Sequence, residues 1–267
     1  MPPTPVEHEG YSAAQRTVPP MLELHQFRHS SFCEKVRLIL AAKGLEYSII
    51  EVTPGLGQLE LFRLSGQRQV PVLVDGGEVI ADSSAIAQHL ESQVPTPPLI
   101  PEDPADRARV LLLEDWADTA LASGVRQALL QAAGSDSVMR GALLPEATPA
   151  LLRSLLGALP TDLLTPLGDT IGQTERRQLQ ANLEQLAVLL APGRFLVGDR
   201  LSLADLAVAA QLSLLLFPAS AGAPLAGRGV PGLADHPLLT SLFAWRDGLY
   251  LSLGRGAVSE PVSQPPL

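Results

Sequence analysis

Three short segments hold residue types whose spacing could do chemistry. The first is FRHSSFCEKVRLIL, where an extended stretch gives way to helical spacing. Ser31 and Glu34 read as an S-x-x-E capping box, so Ser31 is the expected N-cap and Ser30 sits just ahead of the helix. Free backbone N–H groups and the helix dipole there favour an anion. A thiolate is such an anion. A free thiol titrates near about 8.5, and each unit of depression needs about 1.4 kcal/mol. A dipole with one hydroxyl hydrogen bond supplies on the order of 1.5–3 kcal/mol, enough to leave a bound thiol mostly ionised at neutral pH. The thiolate is the nucleophilic form. Taken alone, both serines can equally be plain helix caps.

The second segment is Val70-Pro71-Val72-Leu73. A cis Val70–Pro71 bond would free the Val70 backbone N–H and C=O to pair with an extended peptide, a miniature of strand addition. Cis bonds are a small minority of X–Pro bonds, so the sequence by itself favours an ordinary trans proline at a strand start. The third segment is Asp82-Ser83-Ser84, another helix start. Its hydroxyl and N–H groups suit a carboxylate and Asp82 suits an ammonium, although simple capping explains it in isolation. One segment thus fits a thiolate, one an extended peptide backbone and one an α-amino-acid end. Glutathione carries all three.

The surrounding pattern supplies elements to position these segments. Leu22 to Phe27 alternates at period two and reads as a strand, and Ser31 to Lys43 has helical spacing, with Phe32, Val36, Ile39 and Leu40 on one face. Gly44 suits a left-handed stop. Tyr47 to Val52 is a second strand, parallel to the first through a crossover, and Gln58 to Leu64 a weaker helix. VPVLVDGGEVIA reads as a hairpin turning at Asp75, Gly76 and Gly77, and Ser83 to Ser92 as a helix. The expected fold is an α/β thioredoxin-like domain, β-α-β-α-β-β-α, over residues 21–93. A proline-dense linker at 94–104 leads to an all-helical domain at 105–255, opened by Asp103 and Pro104 as N-cap and first turn. Within it, Arg107 to Gln131 and Glu175 to Leu190 are helical. Ser202 to Asp205 is a capping box with Asp for Glu, stapled by Leu201 and Leu206. Residues 134–172, rich in Gly, Pro, Ser and Thr, carry no assignable period. Residues 1–20 and 256–267 read as disordered tails, and Met21 is a candidate native start.

Composition narrows the partners. The 267-residue chain is 46% hydrophobic and 18% charged, which makes it globular rather than disordered. Its net charge of -9 gains nothing from counterion release, so no nucleic-acid partner is expected, nor an anionic membrane surface. The uncharged run from Leu206 to Gly227 is broken by Pro218 and Pro224, so it reads as a buried core helix rather than a membrane span. A lone cysteine, Cys33, rules out an internal disulfide and a cysteine-rich metal site. It fits a reducing compartment, here taken as cytoplasmic. No secretory signal is visible at the start of the chain.

The S-S-F-C-E-K-V-R-L helix start, the V-P-V-L strand, the D-S-S-A-I helix start and FLVGDRLSLADL, in this order, resemble the glutathione transferase family. The likeness covers about Met21 to Phe217, weakly over 134–172. It implies that Ser30 is the catalytic hydroxyl, with Ser31, Gln69, Val70, Pro71, Asp82 and Ser83 binding glutathione. Val70–Pro71 would be the cis element facing the cysteinyl backbone, Asp82 and Ser83 the γ-glutamyl site, and Gln69 a neighbour of the glycine end. It also implies glutathione as co-substrate, a small electrophilic second substrate, no metal and a homodimer.

There are departures. A cysteine-type member would read C-P-F-C, where this chain has Ser30-Ser31-Phe32-Cys33. The maleylacetoacetate isomerases are similar through S-S-C, but Phe32 stands at that cysteine, which counts against the isomerase. Cys33 leans toward the core face and reads as a small buried hydrophobe. His25, His29 and His89 lack metal spacing and read as structural, with His29 a possible base beside Ser30. Arg28 fits either the anion pocket or the surface, and Trp116 either core or the floor of an apolar substrate site. Three functions remain: conjugation by a glutathione transferase, a non-catalytic binding module on the same fold, and a glutathione-dependent thiol reductase using Cys33.

Overall fold

The computed structural model describes residues 22–53, 56–144, 169–191 and 193–256. Met21, residues 145–168 and the expected tails, apart from residue 256, lie outside them. The chain opens with β1 (Leu22–Gln26), α1 (Ser31–Ala42), β2 (Tyr47–Glu51), α2 (Leu56–Ser65), β3 (Val72–Asp75), β4 (Glu78–Ala81) and α3 (Ser83–Gln93). This is the order read from the sequence. The sheet runs β2-β1-β3-β4, with β1 and β2 parallel and the other neighbours antiparallel. In β1 the alternation buries Leu22, Leu24 and Gln26. Gly44 ends α1 with φ +64°, and Gly76 and Gly77 carry the hairpin at φ +57° and +102°, conformations that side chains disfavour.

One sequence expectation is corrected here. The N-cap of α1 is Ser30, not Ser31: the Ser30 hydroxyl accepts the Cys33 N–H at 3.3 Å, and Ser31 is the first helical residue, buried. The S-x-x-E box does not form. Glu34 is drawn off by Arg37 on the next turn and by Arg255 from the far end of the chain, so its carboxylate is engaged with cations instead of closing a box.

The connector is docked. Lys43 Nζ donates to the carbonyls of Val94 (2.6 Å) and Pro97 (3.0 Å) and pairs with Glu91. The other Glu91 oxygen accepts the Leu99 and Ile100 N–H groups, and Leu203 N–H reaches the Leu99 carbonyl. Beyond it lie α4 (Pro104–Trp116), a π turn (Ala117–Leu121), α5 (Ala122–Ser135), α6 (Ser137–Ala142), α7 (Asp169–Leu190), α8 (Leu203–Leu212) and α9 (Thr240–Ser252). The described part of this region is helical as expected, apart from short 3-10 turns and one isolated bridge between Leu216 and Gly229. Asp103 caps α4 with Pro104 in its first turn.

Every residue of α8 is buried, and α1 and α4 pack on it. Its start is fixed by Asp205, whose carboxylate accepts the Ser202 N–H and hydroxyl and the Leu196 N–H, all within 2.8 Å. One hydrophobic cluster then runs from Leu24 and Ile39 through Ile86 and Val110 to Leu206 and Leu242. The sheet and the helices therefore share a core, and α1 lies between them. Among the described residues no helix is long and apolar enough to cross a membrane.

Candidate functional site

Strand register gathers the three segments at one end of the sheet. His25 on β1 faces Val72 on β3, and Val72 faces Ala81 on β4. One or two residues further on, the chain reaches the loop to Ser30 from β1 and the α3 start, Asp82 and Ser83, from β4. Pro71 and Val70 lie at the same level, just before β3. The Val70–Pro71 peptide bond is cis, where the sequence by itself favoured trans and the family likeness implied cis. Gln69 is exposed beside it.

Each helix start has donors to spare. In α1 the Ser30 hydroxyl takes the Cys33 N–H and the Ser30 carbonyl takes the Glu34 N–H, neither of which involves the Ser31 and Phe32 N–H groups. Because a hydroxyl accepts and donates at once, the Ser30 O–H proton can still go to an anion. In α3 the Asp82 carboxylate accepts the Ser84 and Ala85 N–H groups at 2.9 and 3.1 Å, from a backbone with φ +81°. The Ser83 N–H is not among those taken. The Ser83 hydroxyl departs from expectation: the residue is buried and its O–H is directed at Asp118 at 3.4 Å.

Two buried charge clusters flank these starts, and the sequence reading missed both. The first lies under the Ser30 loop. Arg37 Nε donates to Glu34 (2.6 Å), Nη1 to the Gln26 amide oxygen and Nη2 to the Arg28 carbonyl (2.9 Å). Glu51 accepts the Arg28 N–H (2.7 Å) and the Gln26 amide (3.1 Å). Burial alone would raise the Glu34 carboxyl, but Arg37 and Arg255 outweigh it and hold it at about 2. The second cluster joins α1, α3 and the α4–α5 junction. Lys35, fully buried, donates to Glu114, to Asp118 (2.6 Å) and to the Ser84 hydroxyl (3.1 Å). Here burial prevails and the Asp118 carboxyl is raised, Lys35 opposing. The signal available was Glu34-Lys35-Val36-Arg37, three charges within four residues of an otherwise apolar helix.

Other candidates resolve simply. Cys33 is fully buried and burial raises its thiol, the opposite of an activated nucleophile. His29 is held edge-on between Phe27 (5.9 Å) and Phe217 (6.3 Å). Arg28 reaches the Ala221 carbonyl at 3.2 Å across the region boundary. Trp116 is half-buried against the core. An open groove of about 210 Å³ between Arg194, Phe195, Trp245 and Leu249 shares no residue with the three segments. No group of three or more His, Cys, Asp or Glu among the described residues could hold a metal ion.

Comparison with known proteins gives two family-model matches. Residues 24–98 match the glutathione S-transferase N-terminal domain and residues 169–247 the glutathione S-transferase C-terminal domain. The chain is 31% identical to Glutathione S-transferase Z2 of Arabidopsis thaliana over 202 residues, 72% of this chain and 75% of that protein. With Glutathione S-transferase Z1 of the same plant the identity is 40%, but the 90 matched residues span only 41% of that relative and 33% of this chain. Maleylacetoacetate isomerase of Rattus norvegicus is 29% identical over 199 residues, 71% of this chain and 76% of the relative. FtsZ-localized protein A of Caulobacter vibrioides (strain NA1000 / CB15N) is 30% identical over 196 residues, 72% and 76%.

Proposed function

The chain belongs to the glutathione S-transferase family, and from that premise we propose that it holds glutathione across the three segments and conjugates its thiolate to small electrophiles. One arrangement carries this reading: a serine N-cap with a spare hydroxyl proton, at the positive end of α1, level with a proline-opened strand and a second helix start. Ser30 is read as the catalytic group. Its O–H and the Ser31 and Phe32 N–H groups stabilise the sulfur anion, and the thiol proton leaves to solvent. Val70 and Pro71 align the cysteinyl backbone, and Gln69 meets the glycine end. The γ-glutamyl carboxylate goes to the Ser83 N–H, since the Ser83 hydroxyl is engaged with Asp118, and Asp82 faces the ammonium. The bound thiolate supplies the nucleophile for the new carbon–sulfur bond. Proximity and ionisation provide the rate. We read the protein as a cytoplasmic homodimer divided at residues 94–104; light scattering on the purified protein checks the dimer.

Ser30→Ala tests the assignment. Conjugation across a panel of electrophiles should fall about a hundredfold while glutathione still binds, in line with loss of a single preorganised donor. Unchanged turnover would remove Ser30 from the mechanism. The similarity to FtsZ-localized protein A favours a second reading, an interaction module on the same fold. No conjugation by the unaltered protein with any electrophile of the panel would select it. The thiol reductase reading finds no support, because its only cysteine is sealed in the core.

A further inference from the structure

The loop that presents Ser30 is gripped from beneath. Between β1 and α1 the chain turns at Phe27 to Ser30, closed by the Ser30 N–H on the Phe27 carbonyl at 3.0 Å. Within that turn both backbone polar groups of Arg28 are taken: its N–H by Glu51 and its carbonyl by Arg37 Nη2. Gln26 bridges the same two side chains. Arg37 therefore touches the strand end, the loop and its own helix with three different nitrogens. Only a planar guanidinium has donors in those directions; a lysine has the charge without the fork. Glu34 is shared between Arg37 and Arg255, and the Arg255 backbone is itself tied to the end of α9 by its N–H on the Tyr250 carbonyl at 2.8 Å. Both arginine side chains meet the one Glu34 carboxylate, while Glu51 holds the Arg28 N–H, so the cluster grips the loop from two sides.

We propose that Arg37 is a positioning residue for Ser30, and that Glu34 and Arg255 hold Arg37 to that task. The last turn of α9 is thereby coupled to the thiolate site. The inference rests on the reading of Ser30 given above. Arg37 would touch neither glutathione nor electrophile; it fixes where the Ser30 hydroxyl points. A displacement of the order of 1 Å at such a group costs up to about a hundredfold in rate.

The test is a double-mutant cycle read on the ionisation of bound glutathione, followed by thiolate ultraviolet absorbance against pH. Ser30→Ala, Arg37→Lys and the pair are compared. Arg255→Gln serves as the milder arm, since Arg255 is partly exposed and its loss spares the helix interior. Each variant's thermal midpoint is recorded alongside. The expected result is a rise of the thiolate midpoint by about one unit in Arg37→Lys and about half a unit in Arg255→Gln, with glutathione affinity changed less than about threefold. In the Ser30→Ala background Arg37→Lys should add nothing, because its effect passes through that hydroxyl. If Ser30→Ala shifts the midpoint while Arg37→Lys does not, or the two shifts add in full, the inference is overturned and the reading of Ser30 stands. If Ser30→Ala itself leaves the midpoint unmoved, the reading of Ser30 fails and the inference falls with it.

Discussion

Glu34 and Lys35 are neighbours in sequence, yet they anchor two buried clusters of opposite character. The Glu34 cluster sets one carboxylate between two guanidinium groups, and its carboxyl is held down to about 2. The Lys35 cluster sets one ammonium between two carboxylates, and the Asp118 carboxyl is raised. Burial raises both carboxyls, and the shifts end in opposite directions because the surplus of opposite charge differs. The first cluster has its ionised acid fully compensated. The second has one negative charge more than it can neutralise, and removing an acid from it should cost little.

The largest effect is expected from breaking the second cluster at its only cation. Lys35→Met leaves Glu114 and Asp118 facing each other in the interior, and urea unfolding at neutral pH should show a loss of about 3–5 kcal/mol. The loss should shrink in acid, where the Asp118 carboxyl, raised by burial, takes up its proton. A loss below about 1 kcal/mol at neutral pH would mean that the carboxylates are already neutralised without Lys35.

Next comes Glu34→Gln, which removes the acid shared by Arg37 and Arg255. The Glu34 carboxyl titrates near 2 in the folded protein against its ordinary 4.5. Its contribution is therefore complete above about pH 4.5 and fades as pH falls through 2. A shift of that size corresponds to about 3 kcal/mol. The variant should lose roughly that much at neutral pH and show a shallower acid slope between pH 4.5 and 2 than the unaltered protein. An identical slope would place the acid sensitivity elsewhere.

The smallest effect, and the one that sharpens the contrast most, is Asp118→Asn. A carboxyl raised by folding favours the neutral form, so it withholds stability once pH climbs through its folded value. Asn lacks that penalty. The expected change at neutral pH is within about 1 kcal/mol in either direction, with the variant gaining relative to the parent as pH rises above 4. A loss as large as that of Glu34→Gln would erase the difference between the clusters.

The contrast also marks what could be read from the chain. Local signals were legible: alternation in Leu22–Gln26, the Gly44 stop, the Gly76–Gly77 turn, the Asp82 and Asp103 caps and the Ser202–Asp205 box all lie within a few residues of what they control. The misplaced cap of α1 has one local cause and one distant. Ser31 and Glu34 have the right spacing for a box, but Arg37 takes Glu34 from three residues on and Arg255 reaches it from 221 residues away. Lys35 meets Glu114 and Asp118 for the same kind of reason, at separations of 79 and 83. The π turn that carries Asp118 interrupts what reads as one helix from Arg107 to Gln131. Ser83 was identified as a site residue, while the direction of its hydroxyl depended on that long-range acid. Residues 134–172 carried too little periodicity to read, and only their two ends, the close of α5 with α6 and the first turn of α7, belong to the described structure.

The most direct measurement is a crystal structure of the protein soaked with glutathione. The account predicts the cysteinyl sulfur within hydrogen-bond distance of the Ser30 hydroxyl, the peptide backbone beside Val70, and the γ-glutamyl carboxylate on the Ser83 N–H. Glutathione bound elsewhere, or seated there with its sulfur turned away from Ser30, would contradict it.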